Sequence, residues 1–166
     1  MIVGVDPGLK GGIVILDPED RAVSAWRADG PEGYCATGRP DIARLVQMFD
    51  DDRLRSAVIE KAGVMPKQGI SSALTIGVNY GLLLGALRAS RLPVREVAPA
   101  TWTRGFGWRA ADRAARKLRA VALVRLRIPS LDLLDGGRLR VPHTGLADAA
   151  CLALWALDSR SHAAAR

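Results

Sequence analysis

Residues 2–16 read IVGVDPGLKGGIVIL. Ile2-Val3-Gly4-Val5 is a run of β-branched residues around one glycine, the signature of a buried strand, and Asp6 closes it with an acid. Pro7-Gly8-Leu9-Lys10-Gly11-Gly12 reads as a turn, and Ile13-Val14-Ile15-Leu16 as a second apolar strand stopped by Asp17-Pro18. Such close spacing predicts antiparallel neighbours joined by a tight connection. Working outward, 22–26 is a third strand, 29–40 a loop rich in Gly and Pro, and 41–49 a helix with Ile42, Leu45, Val46 and Phe49 on one side. Ala57-Val58-Ile59-Glu60 is a fourth strand, again ending in an acid. A long helix follows over 70–90, then a fifth strand over 94–97. Pro99 through Trp102 starts a short helix. Residues 112–127 form a basic helix stopped by Pro129, and 146–157 a final Ala- and Leu-rich helix. An early antiparallel meander followed by crossover units predicts an α/β fold with one mixed five-stranded sheet flanked by helices.

The chain has 166 residues, 49% hydrophobic and 25% charged, enough to bury a core and too apolar for disorder. The expected organisation is a single domain over 1–158 with a short tail over 159–166. The formal charge of +7 is not spread evenly. Between Arg104 and Arg127 lie eight basic residues and one acid, Asp112, while the rest of the chain balances sixteen against sixteen. A local basic surface favours a polyanion, most often nucleic acid; an Arg-rich solvated helix is the plainer alternative, since Arg outnumbers Lys 20 to 4. Two cysteines, Cys35 and Cys151, no CxxC pair and a strand-like start at Met1 predict a reduced, cytoplasmic protein. Residues 70–87 carry no charge over 18 positions, long enough to span a bilayer, but Ser71, Ser72, Thr75, Asn79 and three glycines fit a buried helix better, so no membrane is expected.

Asp6 and Glu60 hold the same kind of position, each the first acid after a buried strand. In an α/β sheet, parallel neighbours present their carboxyl ends on one edge, where sites form. If the first and fourth strands are neighbours, the two carboxylates repel unless a cation joins them, and Mg²⁺ or Mn²⁺ takes such oxygen ligands. Asp148, early in the final helix, is a third candidate, although an acid in a first helical turn also complements the helix dipole. The Asp6-Pro7-Gly8 turn suits a phosphate or a cation close to the backbone, or is simply a turn. On the basic helix, Arg113, Arg116, Lys117 and Arg127 fall within one arc of about 100°, and Ala114, Leu118, Val121 and Ala122 on the opposite arc. This predicts a helix apolar inside and basic outside, tracking a phosphate backbone. Trp102, Phe106 and Trp108 just before it either pack in the core or stack on nucleic acid. Gly77, Gly81 and Gly85 form a smooth stripe on the long helix that lets a second helix approach, from within the chain or from a second subunit.

Taken together, GVDPGLKGGIVIL, VIEKAGVMPKQGISSALTIGVNYGLLLGAL, VAPATW, ARKLRAVALVRL and HTGLADAACLALWAL resemble the RuvC-like Holliday junction resolvases, in the short phage and prophage form of that family. The resemblance runs over nearly the whole chain in order. It implies an RNase H-like fold, a homodimer acting on four-way DNA junctions, a divalent metal and no organic cofactor. It implies catalytic and metal-binding roles for Asp6, Glu60 and Asp148, and a basic role near the site for Lys117. The 65–69 segment, with Lys67 and Gln68, matches the part that approaches the junction centre; Lys10, Arg113, Arg116 and Lys117 complete the expected DNA contacts. Relatives carry a further acid three or four residues before the last Asp. Here those positions are Gly145 and Thr144. His143, just outside the helix, is the expected fourth catalytic and metal-binding residue, with Thr144 as helix cap; a solvated loop histidine is the alternative. The expected activity is metal-dependent, paired phosphodiester hydrolysis of branched DNA. A nuclease of the same fold on other branched DNA or RNA, and a junction-binding protein without catalysis, are its rivals.

Overall fold

The computed structural model describes residues 1–164 apart from 20, 22, 31, 64–68 and 109–111, with side chains described as far as Ser159. The elements in chain order are β1 (Ile2–Asp6), β2 (Gly12–Leu16), β3 (Val23–Arg27), β4 (Cys35–Ala36), β5 (Arg39–Pro40), α1 (Ile42–Phe49), β6 (Ser56–Glu60), α2 (Ile70–Ala89), β7 (Val94–Val97), α3 (Pro99–Gly105), α4 (Arg113–Arg127) and α5 (Thr144–Ala164). Strands β3-β2-β1-β6-β7 form the expected five-stranded mixed sheet. The β1–β2 and β2–β3 pairs are antiparallel, while β1–β6 and β6–β7 are parallel. The loop expected over 29–40 holds a short antiparallel ladder, β4 with β5. The final helix begins earlier than its apolar run and continues to Ala164, into the segment expected as a tail.

Strand periodicity of two divides the core between two faces. Val3, Val5, Ile13, Ile15, Ala57 and Ile59 turn to one side, with Leu45 and Phe49 of α1 and Leu83, Ala86 and Leu87 of α2. Ile2, Val14, Leu16, Val58 and Val97 turn to the other, under α5 and α4. Helix α5 lies unusually close to the sheet. A Cβ on Gly4 would come within 2.1 Å of the Ala149 carbonyl oxygen, and one on Gly145 within 2.0 Å of the Lys10 carbonyl oxygen. Small residues on both partners therefore fix the height of α5 over β1.

Two expectations change. First, most of the basic arc of α4 turns inward: Arg116, Lys117 and Arg127 are half-buried, while Arg113 at the helix start is exposed. Ala120 and Val124, both fully buried, lie on the same arc as Arg113, Arg116, Lys117 and Arg127, whereas Ala114 and Ala122 are exposed and Leu118 and Leu126 are 72% and 78% exposed. The inward charges have anionic partners: Arg127 pairs with Asp158 at 3.0 Å, and Lys117 reaches Asp148. Second, α2 buries Asn79, Leu83, Ala86 and Leu87, and its glycine stripe points the other way. Cβ atoms on Gly77, Gly81 or Gly85 would meet nothing within 4 Å. By length and composition α2 could cross a membrane; in this fold its inner face, with Leu83, Ala86 and Leu87, lies on the sheet and against α1.

Candidate active site

Register alone brings the first two carboxylates together. Val5 pairs with Ile59 in the parallel β1–β6 ladder, so Asp6 and Glu60, one step further along each strand, end side by side. Both follow the parity of Gly4 and Val58, which face α5. On α5, Ala149 is the residue that touches Gly4, which carries its neighbour Asp148 to the same edge. The three acids come from three elements, and each lies within electrostatic reach of the others.

Burial sets their chemistry. Desolvation, then the charges of Glu60 and Asp148, push the Asp6 carboxyl up to about 7, against the opposing Gly8 N–H and Lys117. The Gly8 N–H donates to Asp6 Oδ1 at 3.0 Å, so the glycine turn supports the acid directly. Glu60 and Asp148 are raised as well, mainly by desolvation. Glu60 Oε2 accepts the indole N–H of Trp102 at 2.7 Å. Asp148 is nearly buried, and its Oδ1 has no hydrogen-bond partner. Among the described residues, no three His, Cys, Asp or Glu side chains already stand as a closed metal cage. What is present is a set of hard oxygen donors that repel one another, with one buried oxygen unpartnered.

Basic groups rim these acids. The Lys117 ammonium donates to Thr144 Oγ1 at 2.7 Å and lies 3.8 Å from Asp148 Oδ2. Arg116 and Lys117 lower the Glu60 carboxyl, and Lys117, Arg116 and Arg113 lower that of Asp148, so all three cations act on the acid cluster. The Arg116 Nε is buried without a partner. Lys10 is exposed on the turn after Asp6, beside the start of α5. Residues 67 and 68, expected to contact DNA, lie outside the described residues.

His143 is placed differently from the other candidates. The residue is buried, and Nδ1 accepts the Leu146 N–H at 3.1 Å. It is His143, not Thr144, that caps α5, and Thr144 is the helix's first residue. Nε2 faces Asp29 Oδ1 at 3.4 Å, and the groups acting on the ring are Asp29, Arg27 and Lys117 rather than the three acids. The ring is therefore not a free loop side chain. Desolvation holds its pKa below the ordinary histidine value.

Two participants escaped the sequence reading. Trp102 lies 42 residues from Glu60, and no spacing pattern links them. The usable signal was topological: α3 starts directly after β7, whose Val97 pairs with Glu60. Thr144 was read as a cap because Ser and Thr favour that position. Its hydroxyl instead serves Lys117, a contact between helices that single-helix reasoning does not contain.

Among solved structures, the chain is similar to the RuvC of Thermus thermophilus. The two share 21% identity with a TM-score of 0.59, over 97% of this chain and 96% of that one. A structure of T. thermophilus RuvC in complex with a Holliday junction substrate gives 21% identity and a TM-score of 0.58, over 96% of this chain and 95% of that one. At this identity the likeness establishes the fold: a five-stranded mixed sheet flanked by helices, shared with these RuvC structures. No family model and no curated protein sequence matches the chain.

Proposed function

We propose that this chain is a divalent-cation-dependent endonuclease that resolves four-way DNA junctions. The observation that carries the reading is the meeting of three carboxylates, half-buried Asp6 and Glu60 from β1 and β6 and buried Asp148 from α5, beneath a rim of Lys117, Arg116 and Arg113, on a fold shared with a junction-bound RuvC. The donors suit Mg²⁺ or Mn²⁺: hard oxygens, mutual repulsion that a cation relieves, and an unpartnered oxygen on Asp148. Asp6, Glu60 and Asp148 would hold the cation. When bound, it supplies Lewis-acid stabilisation of the departing 3′ oxygen and acidifies water for attack on phosphorus.

The chain's own residues do the rest. Desolvation and the neighbouring acids make Asp6 hold its proton up to about pH 7, and a cation that compensates its charge would favour the ionised, ligating form. Lys117, tethered by Thr144, offers a point charge where a phosphate would lie against Asp148. Arg113 and Arg116 hold the backbone on either side. A homodimer belongs to this reading, since two strands of a junction need two sites. So does a cytoplasmic location.

The test is a labelled four-way junction incubated with Mg²⁺, Mn²⁺ or EDTA, alongside duplex, flap and RNA–DNA hybrid substrates. Paired nicks in the junction with either cation and none in EDTA are expected. Preferential cutting of the hybrid or flap would replace the junction reading with another nuclease of this fold. Tight junction binding without cleavage in either cation would make the protein a binding module.

A further inference from the structure

Among the described residues Trp102 is the largest fully buried side chain, and its one polar atom is spent on a carboxylate of the proposed site. The ring is clamped. Phe106 meets it edge-on with centroids 6.4 Å apart, and Trp108 does so at 5.9 Å. Helix α3, which carries it, begins at Pro99, two residues after Val97, the partner of Glu60 in the β6–β7 ladder. The donor is thus fixed to the same sheet edge as its acceptor. A buried indole N–H needs an acceptor, and a backbone carbonyl would satisfy it. Here it takes Glu60 Oε2, which fixes the carboxylate's rotamer and leaves Oε1 as the oxygen not engaged by the indole.

We infer that Trp102 is a positioning residue: its indole N–H holds Glu60 Oε2 so that the other carboxylate oxygen is presented to a cation shared with Asp6 and Asp148. This rests on the proposed nuclease reading. The three aromatics before the basic helix then form a rigid wedge behind the site rather than a stacking platform for bases. Indole also remains a donor at every pH, so it holds the carboxylate without competing for its proton.

The experiment reads the hydrogen bond, cation binding and turnover separately. The chain has four tryptophans, so a ¹⁵N-labelled sample gives four indole resonances, with that of Trp102 identified by its loss in Trp102→Phe. Glu60→Gln should move this resonance upfield, because an amide oxygen is a weaker acceptor than a carboxylate. Titrating wild-type protein with Mg²⁺ should move it as well, and the shift should saturate together with the heat of Mg²⁺ binding. Trp102→Phe should weaken Mg²⁺ binding by about tenfold and lower the cleavage rate by at least that factor, with junction affinity kept within about twofold, as for other supports of metal ligands. The inference is overturned if Trp102→Phe folds and retains wild-type Mg²⁺ affinity and turnover. If that variant does not fold, the Trp102 resonance is assigned by its through-space contacts with the Phe106 and Trp108 rings, and a resonance indifferent to both Glu60→Gln and Mg²⁺ overturns the inference. A Trp102 resonance that follows Mg²⁺ in a protein that cuts no junction would sink the resolvase reading and leave the positioning role standing. Absence of Mg²⁺ binding to the wild-type protein overturns both.

Discussion

Asp6 is held in a position that favours its neutral form until something compensates its charge. Burial and the two neighbouring acids raise its carboxyl from the ordinary aspartate value of 3.8 to about 7. A group whose folded pKa lies above its unfolded value adds stability below the unfolded pKa and loses it as pH rises through the folded one. Cation-free wild-type protein should therefore lose melting temperature relative to Asp6→Asn between pH 5.5 and pH 8, and Mg²⁺ at pH 8 should raise Tm of the wild type but not of Asp6→Asn. A wild-type minus variant difference that stays flat across this window would mean that Asp6 is not so confined. Asp6→Asn should also abolish cleavage while keeping junction binding, because the basic rim is untouched; wild-type-like cleavage would remove Asp6 from the site. His143 calls for a different outcome. As the cap of α5, it should cost about 1 kcal/mol when replaced by Ala, and Asn, which also caps, should restore most of that loss. His143→Asn should cleave at nearly the wild-type rate. Strong loss of cleavage in both variants at unchanged stability would return His143 to the ligand set.

The inward turn of α4 decides which of its charges matter. Arg113, Arg116 and Lys117 act on the acids, whereas Arg119 and Arg125 sit on the exposed face beside Leu118 and Leu126. Reversing charge at the first three should weaken junction binding and flatten the dependence of log affinity on log salt, because each lost phosphate contact releases fewer counterions. Reversing Arg119 and Arg125 should change the slope less. Equal slopes would mean that DNA lies across the outer face instead. The strands of the main sheet, the acids that end β1 and β6 and the long helices were legible in the sequence because they follow from local patterns: β-branched runs, acids at strand ends, and punctuation by Gly and Pro; that β1 and β6 are neighbours was only a condition there, and long-range pairing settles it. The facing of α4 was not. Its outward stripe, Leu118-Ala122-Leu126, is as apolar as its inward one, Ala120-Val121-Val124, so hydrophobic spacing cannot choose between them. The choice comes from the acids on β1, β6 and α5 that attract the basic arc, a tertiary effect. The α5 cap was missed for a similar reason: Thr144 has the better propensity, but the buried Leu146 N–H is reached by a histidine ring nitrogen.

At the scale of the whole molecule, one exposed apolar surface lies on the side of the sheet covered by α1 and α2, apart from the Leu118 and Leu126 face of α4 on the other side. On α2, Ile70 is 89% and Leu74 67% exposed, and Ile42 and Val46 of α1, expected on its packed side, are 42% and 45% exposed. The stripe of Gly77, Gly81 and Gly85 is exposed on the same helix and has no partner within the described chain. Each helical glycine costs up to about 1 kcal/mol relative to alanine, so three of them on a solvent face are a standing loss to the isolated subunit. Close packing of a second α2 across a twofold axis would offset that loss through contacts between backbones, and it would place two acid clusters in one particle, as a junction with two strands to cut requires. Gly81→Leu separates the possibilities, since its side chain meets nothing within the subunit. The variant should fold with a melting curve close to that of a dissociated wild-type subunit and sediment as a monomer. It should still bind junctions, more weakly, and make single nicks in place of paired ones. A variant that stays dimeric by analytical ultracentrifugation would put the twofold contact on another face, and one that fails to fold would mean that the stripe is covered by part of the same chain.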